Sequence, residues 1–255
     1  MTFLLCLFLI LPFHRIGIMG AMDKELNLIK QKMKIEEVDT LAQKIFTVGS
    51  IKGIPCVCVQ AGVGKVNAAL TAEILILKYQ VDAIIFSGVA GGINPQLKIG
   101  DIVISERVLH HDFGQILPDQ FIPGDTTGYS ADTVLIEIAL KAVKDVKFPE
   151  VPKKLCKEKE HLPRVVLGRI VSGDQFISSE KKRQWLAQTF RADCVEMEGS
   201  GMAQVCALNK LPFLIIRCVS DLANEKAEID FPAFVGYSAE NSSLLLLKMI
   251  ELLGE

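Results

Sequence analysis

The sequence predicts an α/β fold with three layers, in which helices cover both faces of a central, twisted, mostly parallel mixed sheet. Two observations predict it. Short runs of apolar and β-branched residues alternate along the chain with longer segments of helical periodicity. The apolar runs are continuous rather than alternating, which is typical of strands buried on both faces.

The strands are the β-branched runs that end at glycine or at a polar residue. Eight are predicted, over residues 15–19, 43–48, 55–60, 83–87, 101–105, 165–171, 194–195 and 213–219. The helices are the segments between them with apolar residues three and four positions apart. Six are predicted, over residues 23–34, 65–79, 131–146, 180–189, 200–208 and 232–253.

Residues 15–255 are predicted to form a single domain, because no segment reads as a domain boundary. The polar stretch 148–163, rich in lysine and proline, reads as an exposed insertion. Residues 1–14 form an apolar extension that is too short to span a bilayer as a helix. A signal, an anchor and a misplaced start codon remain open for it. We expect a cytoplasmic protein, and export or tethering through residues 1–13 is the alternative.

Composition excludes several classes of partner. The net charge is -2, and the chain has one Trp and three Tyr, so neither nucleic acid nor an anionic membrane surface is expected to bind. The seven cysteines form no C-x-x-C pair and mostly lie in apolar runs, as reduced core residues do. Cys56 and Cys58 alone would make a poor zinc site, so we expect no metal.

Three carboxylates, Glu25, Glu198 and Asp221, come just after apolar runs. Ligands bind at the carboxyl ends of strands in open α/β sheets, so these acids point to a site for proton transfer and hydroxyl binding. Two of them also have a structural explanation. Glu25 would complement a helix dipole, and Asp221 would form a cap or an Asx turn.

Other residues near these acids leave similar alternatives open. Arg217 lies in an apolar run, where a guanidinium needs an acidic partner, or it helps to fix a water molecule. Glu196 either binds a structural partner or joins Glu198. Phe176 is either a core residue or stacks on a planar ligand. The run from His110 to Asp112 favours a loop or an interface, because adjacent histidines on a strand point in opposite directions.

Several motifs together resemble those of bacterial 5′-methylthioadenosine/S-adenosylhomocysteine nucleosidases, which have the nucleoside phosphorylase-like fold. The motifs keep the family's order and approximate spacing, and they lie at residues 17–25, 61–68, 88–92, 97–105, 170–177, 195–198 and 217–221. The resemblance runs from about residue 15 to the end, except for the insertion at 148–163.

The resemblance implies hydrolysis of an adenine nucleoside to adenine and a 5-substituted ribose, without a cofactor. It implies that Glu25 activates water, with Arg217 nearby, and that Asp221 protonates N7 of adenine with support from Ser220. For this, Asp221 must have a raised pKa and Glu25 must be ionised. Glu198 would bind the ribose hydroxyls.

The remaining positions that the resemblance assigns are expected to shape the pocket. Phe176 would stack on the purine and Ile177 would contact its edge. The pocket for the sugar and the 5′ substituent would be lined by Met22, Val63 and Phe231, and Met197 would contact the substrate next to Glu198.

Two positions depart from the family's pattern. Val89 stands where many relatives carry Ser or Thr, which removes a typical phosphate ligand and favours hydrolysis over phosphorolysis. The stretch after Asp112 matches poorly the segment through which a partner subunit completes the pocket in the homodimer that the family implies. The alternatives are a purine nucleoside phosphorylase of the same fold and an exported surface-binding protein that keeps the fold.

Overall fold

The computed structural model describes residues 13–152 and 161–254. Within them the strands are β1 to β12, with the bounds Ile16–Gly20, Lys34–Leu41, Lys44–Ile51, Ile54–Gln60, Ala83–Gly92, Ile102–His110, Gly114–Leu117, Gln120–Pro123, Tyr129–Ser130, Val165–Ser172, Cys194–Glu196 and Phe213–Asp221. The helices are α1 to α6, with the bounds Asp23–Lys32, Lys65–Leu77, Thr133–Asp145, Glu180–Phe190, Gly199–Asn209 and Ala227–Leu253.

One mixed sheet organises the molecule, in the order β11-β10-β6-β12-β5-β1-β4-β3-β2, with β9 paired to β6. Parallel pairs join β4, β1, β5 and β12, and also β6, β10 and β11. The pairs that join β6 to β12 and β2 to β3 to β4 are antiparallel. An antiparallel pairing of β11 with β5 curls the sheet back on itself.

Helices cover both faces, as the sequence predicts. Helices α1, α3 and α6 contact one another on one side, and α6 lies against β5 and β12. Helices α2 and α5 form a second group, in which the two helices contact each other and α5 lies against β6 and β10. The central strands β1, β5 and β12 are buried at every residue, which is why their sequences read as continuous apolar runs.

The structure corrects several boundaries. The first helix ends at Lys32 instead of residue 34, because β2 begins at Lys34. Strand β2 is almost wholly exposed and rich in charge, so it lacked an apolar signal. The hairpin β7–β8 and the two-residue β9 were also missed. The last helix begins at Ala227, before Pro232.

The predicted insertion at residues 148–163 lies partly outside the described residues, at 153–160. Within the described part it is not uniformly exposed. Val151 is fully buried, and its amide donates to the His161 carbonyl at 3.1 Å. The apolar packing of this valine beside Gly100 overrides the polar composition of the segment.

The amino-terminal extension, residues 1–14, lies outside the described residues except for Phe13 and His14. Phe13 is buried in the main core, and His14 is exposed. None of the helices in residues 13–152 and 161–254 is long and apolar enough to cross a membrane.

Candidate active site

An open cavity lies at the carboxyl ends of β1, β5, β11 and β12, where ligands bind in α/β sheets. The structure brings eleven of the twelve predicted site residues to its wall: Met22, Glu25, Val63, Val89, Phe176, Ile177, Met197, Glu198, Ser220, Asp221 and Phe231. The twelfth, Arg217, is fully buried behind the acids.

Glu25 lies in the first turn of α1, and its carboxylate accepts three backbone N–H groups. Oε2 accepts from Ala21 at 2.7 Å and from Met22 at 2.9 Å, and Oε1 accepts from Val89 at 3.0 Å. Burial raises the pKa of Glu25, while Arg217 and these three donors oppose the shift. Burial thus opposes the ionised state that the sequence predicts for Glu25, whereas Arg217 and the three donors favour it.

Asp221 ends β12 beside β5. Its Oδ1 accepts from the Ala223 amide at 2.9 Å, which is the Asx turn that the sequence allowed, and its Oδ2 accepts from the Ser220 hydroxyl at 2.9 Å. Burial raises the pKa of Asp221, as an acid that delivers a proton requires. A Cβ at Gly91 would lie 2.9 Å from Oδ1, so the backbone approaches this carboxyl closely.

Glu198 precedes α5, and its Oε1 accepts from the Gly64 amide at 3.0 Å. Burial, together with the neighbouring Glu196, raises the pKa of Glu198 to about 8. The side chain is therefore a proton donor or acceptor for a bound hydroxyl around neutral pH.

Arg217 is paired to all three glutamates of the site. Its Nη2 bonds to Glu196 and lies 3.6 Å from Glu198 Oε2, and its Nη1 lies 3.9 Å from Glu25 Oε1. Glu196 also accepts from the Gly199 amide and from the Ser172 hydroxyl. The pairing expected for Arg217 is therefore present, and the cation also adjoins Glu25.

Sequence reasoning left the role of Glu196 open, and the structure places it on the cavity wall as the main partner of Arg217. It missed Gln175, which also lines the cavity. The only sequence signal for Gln175 was its position directly before Phe176.

Apolar side chains form the rest of the wall. The rings of Phe176 and Phe231 meet edge to face with their centroids 5.7 Å apart. Phe176 is 47% exposed, so a face of the ring is free to stack on a planar ligand. Met22 and Phe231 pack against the small cluster around Val89.

We expect Gly88→Ala to abolish any activity of this site. A Cβ at this position would lie 1.9 Å from Arg217 Nη1 and 2.6 Å from Glu25 Oε1, which forces both groups to move. A displacement of about 1 Å can lower a rate about 100-fold. The matched control is Gly236→Ala in α6, where a Cβ meets nothing within 4 Å. Full turnover by the alanine variant at residue 88 would contradict the described geometry.

We also expect Glu198→Gln to change how stability depends on pH. The folded carboxyl, with a pKa of about 8 against the ordinary value of 4.5, keeps a proton that the unfolded chain releases. Stability from this group is therefore full below pH 4.5 and is lost as the pH rises to 8. From pH 5 to 8, the melting temperature should fall about 10 °C more in the wild type than in the variant, by the usual size scaling. If the melting temperatures of the wild type and the variant change equally with pH, the raised pKa of Glu198 is refuted.

The fold and this cavity place the chain among enzymes that process nucleosides. The model of the "Phosphorylase superfamily" matches residues 15–251. A nucleosidase of Bacillus thuringiensis subsp. konkukian, "5'-methylthioadenosine/S-adenosylhomocysteine nucleosidase", is 34% identical over 247 residues, covering 93% of this chain and 98% of its own. The chain therefore belongs to the phosphorylase superfamily and, within it, to the 5′-methylthioadenosine/S-adenosylhomocysteine nucleosidases.

Solved structures agree. The nucleosidase of Neisseria meningitidis in complex with methylthio-immucillin-A has a TM-score of 0.81 and 31% identity, covering 94% of this chain and 99% of its own. The Colwellia psychrerythraea nucleosidase with adenine has a TM-score of 0.81 and 33% identity, covering 94% and 96%. The futalosine hydrolase of Helicobacter pylori also has a TM-score of 0.81, with 29% identity and coverage of 94% and 98%.

Proposed function

We propose that this protein hydrolyses the N-glycosidic bond of 5′-methylthioadenosine and S-adenosylhomocysteine, releasing adenine and the 5-substituted ribose. The observation that carries the proposal is the convergence of Glu25, Glu198 and Asp221 on one cavity. The names of the relatives point to the same reaction.

In the proposed reaction, Glu25 takes a proton from a water molecule whose oxygen attacks C1′ of the ribose. The C1′–N9 bond breaks, and its electron pair leaves with the base. Asp221 gives its proton to N7, so that adenine departs neutral. Such general-acid assistance is commonly worth about two to four powers of ten in rate.

The other residues bind the substrate in this proposal. Glu198 exchanges hydrogen bonds with the ribose hydroxyls, because its protonated carboxyl both donates and accepts. Phe176 stacks on the purine, and the backbone of Ile177 contacts its edge. The apolar side chains of Met22, Val63 and Phe231 surround the 5′ substituent, with Met197 beside the sugar.

The deciding experiment is adenine release from methylthioadenosine by the purified chain in phosphate-free buffer. We expect full turnover without phosphate and the free sugar as the second product. A need for phosphate, with ribose 1-phosphate as product, would make the protein a phosphorylase instead. Hydrolysis is favoured because Arg217, the cation behind the pocket, is already paired with Glu196 and adjoins Glu25 and Glu198, so its charge is engaged by acidic side chains and not by phosphate.

We further propose a homodimer of single-domain subunits. Large apolar side chains are exposed near the cavity mouth, on the segment that leads into α2 and on α2 itself, at Val63, Val66 and Leu70. The hairpin segment beyond β6 exposes Phe113 and Ile116. Exposed apolar surface of this kind marks association sites. Sedimentation at micromolar concentration tests the dimer, and a monomer would refute it.

We propose a cytoplasmic location. Five cysteines, at positions 56, 58, 194, 206 and 218, are free and buried, as suits a reducing compartment. Cell fractionation with amino-terminal sequencing tests this. Recovery of a cleaved chain from the exterior would favour export through residues 1–13.

A further inference from the structure

Helix α2, Lys65–Leu77, begins without a side-chain cap of its own. Its first backbone donors are instead taken by carboxylates from two distant segments. The Gly64 amide donates to Glu198 Oε1 at 3.0 Å, and the Lys65 amide donates to Asp174 Oδ1 at 2.8 Å. Carboxylates at this end also complement the positive end of the helix dipole.

The Lys65 side chain closes a ring with the same segment. Its Nζ forms a salt bridge with Asp112 Oδ1, and Asp112 Oδ2 accepts from the Asp174 amide at 2.9 Å. Lys65, Asp112 and Asp174, here called the clasp, thus join the start of α2, the end of β6 and the loop after β10. The side chains of Lys65 and Asp112 are each 18% exposed, so water screens their pairing incompletely.

The charge state of the clasp follows from its contacts. Burial raises the pKa of Asp112, but the Lys65 ammonium and the Asp174 amide outweigh it and hold the pKa below its usual range. Asp112 is therefore ionised at neutral pH, and the pair is a true ion pair.

The clasp lies at the beginning of the purine loop, residues 173–177. Asp174 is separated by one residue from Phe176, and Phe176 and Ile177 both line the cavity. Gly173 packs directly on the buried His111, since a Cβ at that glycine would lie 2.4 Å from the ring. The first two residues of the loop are thus fixed on the end of β6 and on α2, ahead of the residues that face the ligand.

We propose that the clasp is a positioning device, which sets the distance between the purine loop and the ribose-binding carboxylate. The Gly64 amide holds Glu198, and the adjacent Lys65 amide holds Asp174, so two consecutive peptide units link the two halves of the substrate site. None of the three clasp residues is among those that line the cavity. They therefore act through Phe176 and Ile177. The inference rests on the proposed function, because it assigns the purine to this loop.

Breaking the clasp should weaken binding more than it slows the chemical step. A freed loop has to be ordered again when substrate binds, which lowers the affinity of substrate and transition state alike. Glu25 and Asp221 keep their own hydrogen bonds to residues outside the clasp.

The test measures kcat and KM for methylthioadenosine, and the Kd for adenine, in Lys65→Met, Asp112→Asn and the double variant. We expect each single variant to raise KM and Kd about tenfold, while kcat changes less than about threefold. Because both changes break one ring, the double variant should be no worse than either single variant. Lys65→Arg, which keeps the cation, should restore KM to within about threefold of the wild type.

The matched control is the pair of Lys78 and Asp39, which joins the end of α2 to β2 far from the cavity. Lys78→Met and Asp39→Asn should leave KM unchanged. The proposal is wrong if KM stays within about twofold in the clasp variants, if the two effects add, or if the control variants raise KM equally.

The outcomes separate this inference from the function on which it rests. A wild-type protein that releases no adenine refutes the proposed function. If the wild type turns over methylthioadenosine and the clasp variants have the same KM as the wild type, only the positioning role of the clasp is refuted. Lys65 is partly exposed. If Asp112→Asn fails to fold, Lys65→Met and Lys65→Arg therefore test the clasp without it.

Discussion

Glu25→Gln should lower kcat for methylthioadenosine by at least about 1,000-fold while KM changes little, because the amide cannot accept the proton of the attacking water. The substitution keeps the size of the side chain, and it removes a buried group whose pKa burial raises, so the fold should persist. Steady-state adenine release and a thermal melt measure both effects.

The control for Glu25→Gln is Glu73→Gln on α2, a helical glutamate that accepts from Asn209 at 2.9 Å and lies outside the cavity lining. It should keep full activity. A folded Glu25→Gln variant with more than about a tenth of the wild-type kcat would remove Glu25 from the role of base.

Asp221→Asn should lower kcat on methylthioadenosine about 100- to 10,000-fold, because adenine then leaves without a proton at N7. The asparagine can still accept from the Ala223 amide, as Asp221 Oδ1 does at 2.9 Å. The local turn should therefore survive, and the loss should reflect chemistry rather than folding.

A second substrate separates this acid from the base. The substrate is the 4-nitrophenyl glycoside of 5-methylthioribose. Its leaving group, 4-nitrophenolate, departs without protonation. On it, Asp221→Asn should lose less than about tenfold, whereas Glu25→Gln should remain nearly inactive. Equal losses by the aspartate variant on both substrates would show that Asp221 does not serve as the proton donor.

Strand positions and cavity residues were predictable because each corresponds to a local pattern in the sequence. The buried central strands read as apolar runs, and the acids at their ends follow from the geometry of parallel sheets. The resemblance supplied the aromatic residues, since Phe176 alone does not distinguish a core side chain from a stacking one. Strand β2 was missed because its exposed residues, such as Glu36 and Glu37, carry no burial pattern.

The remaining features depend on contacts between distant segments. Nothing local in the sequence indicates that Arg217 meets three glutamates, or that Asp174 caps a helix 109 residues away along the chain. One signal was available for the clasp. Lys65 opens α2, where a cation is unfavourable next to the positive end of a helix. A lysine there indicates that carboxylates arrive from elsewhere, although the sequence does not say which.

The last helix reaches the proposed catalytic base, because the Ser243 hydroxyl donates to the Glu25 carbonyl at 2.9 Å. Phe231, on the same helix, also lines the cavity. The site therefore draws on the first and the last of the described helices. Docking of α6 is a condition for the geometry around Glu25, because that helix supplies both a hydrogen bond to the Glu25 backbone and part of the cavity wall.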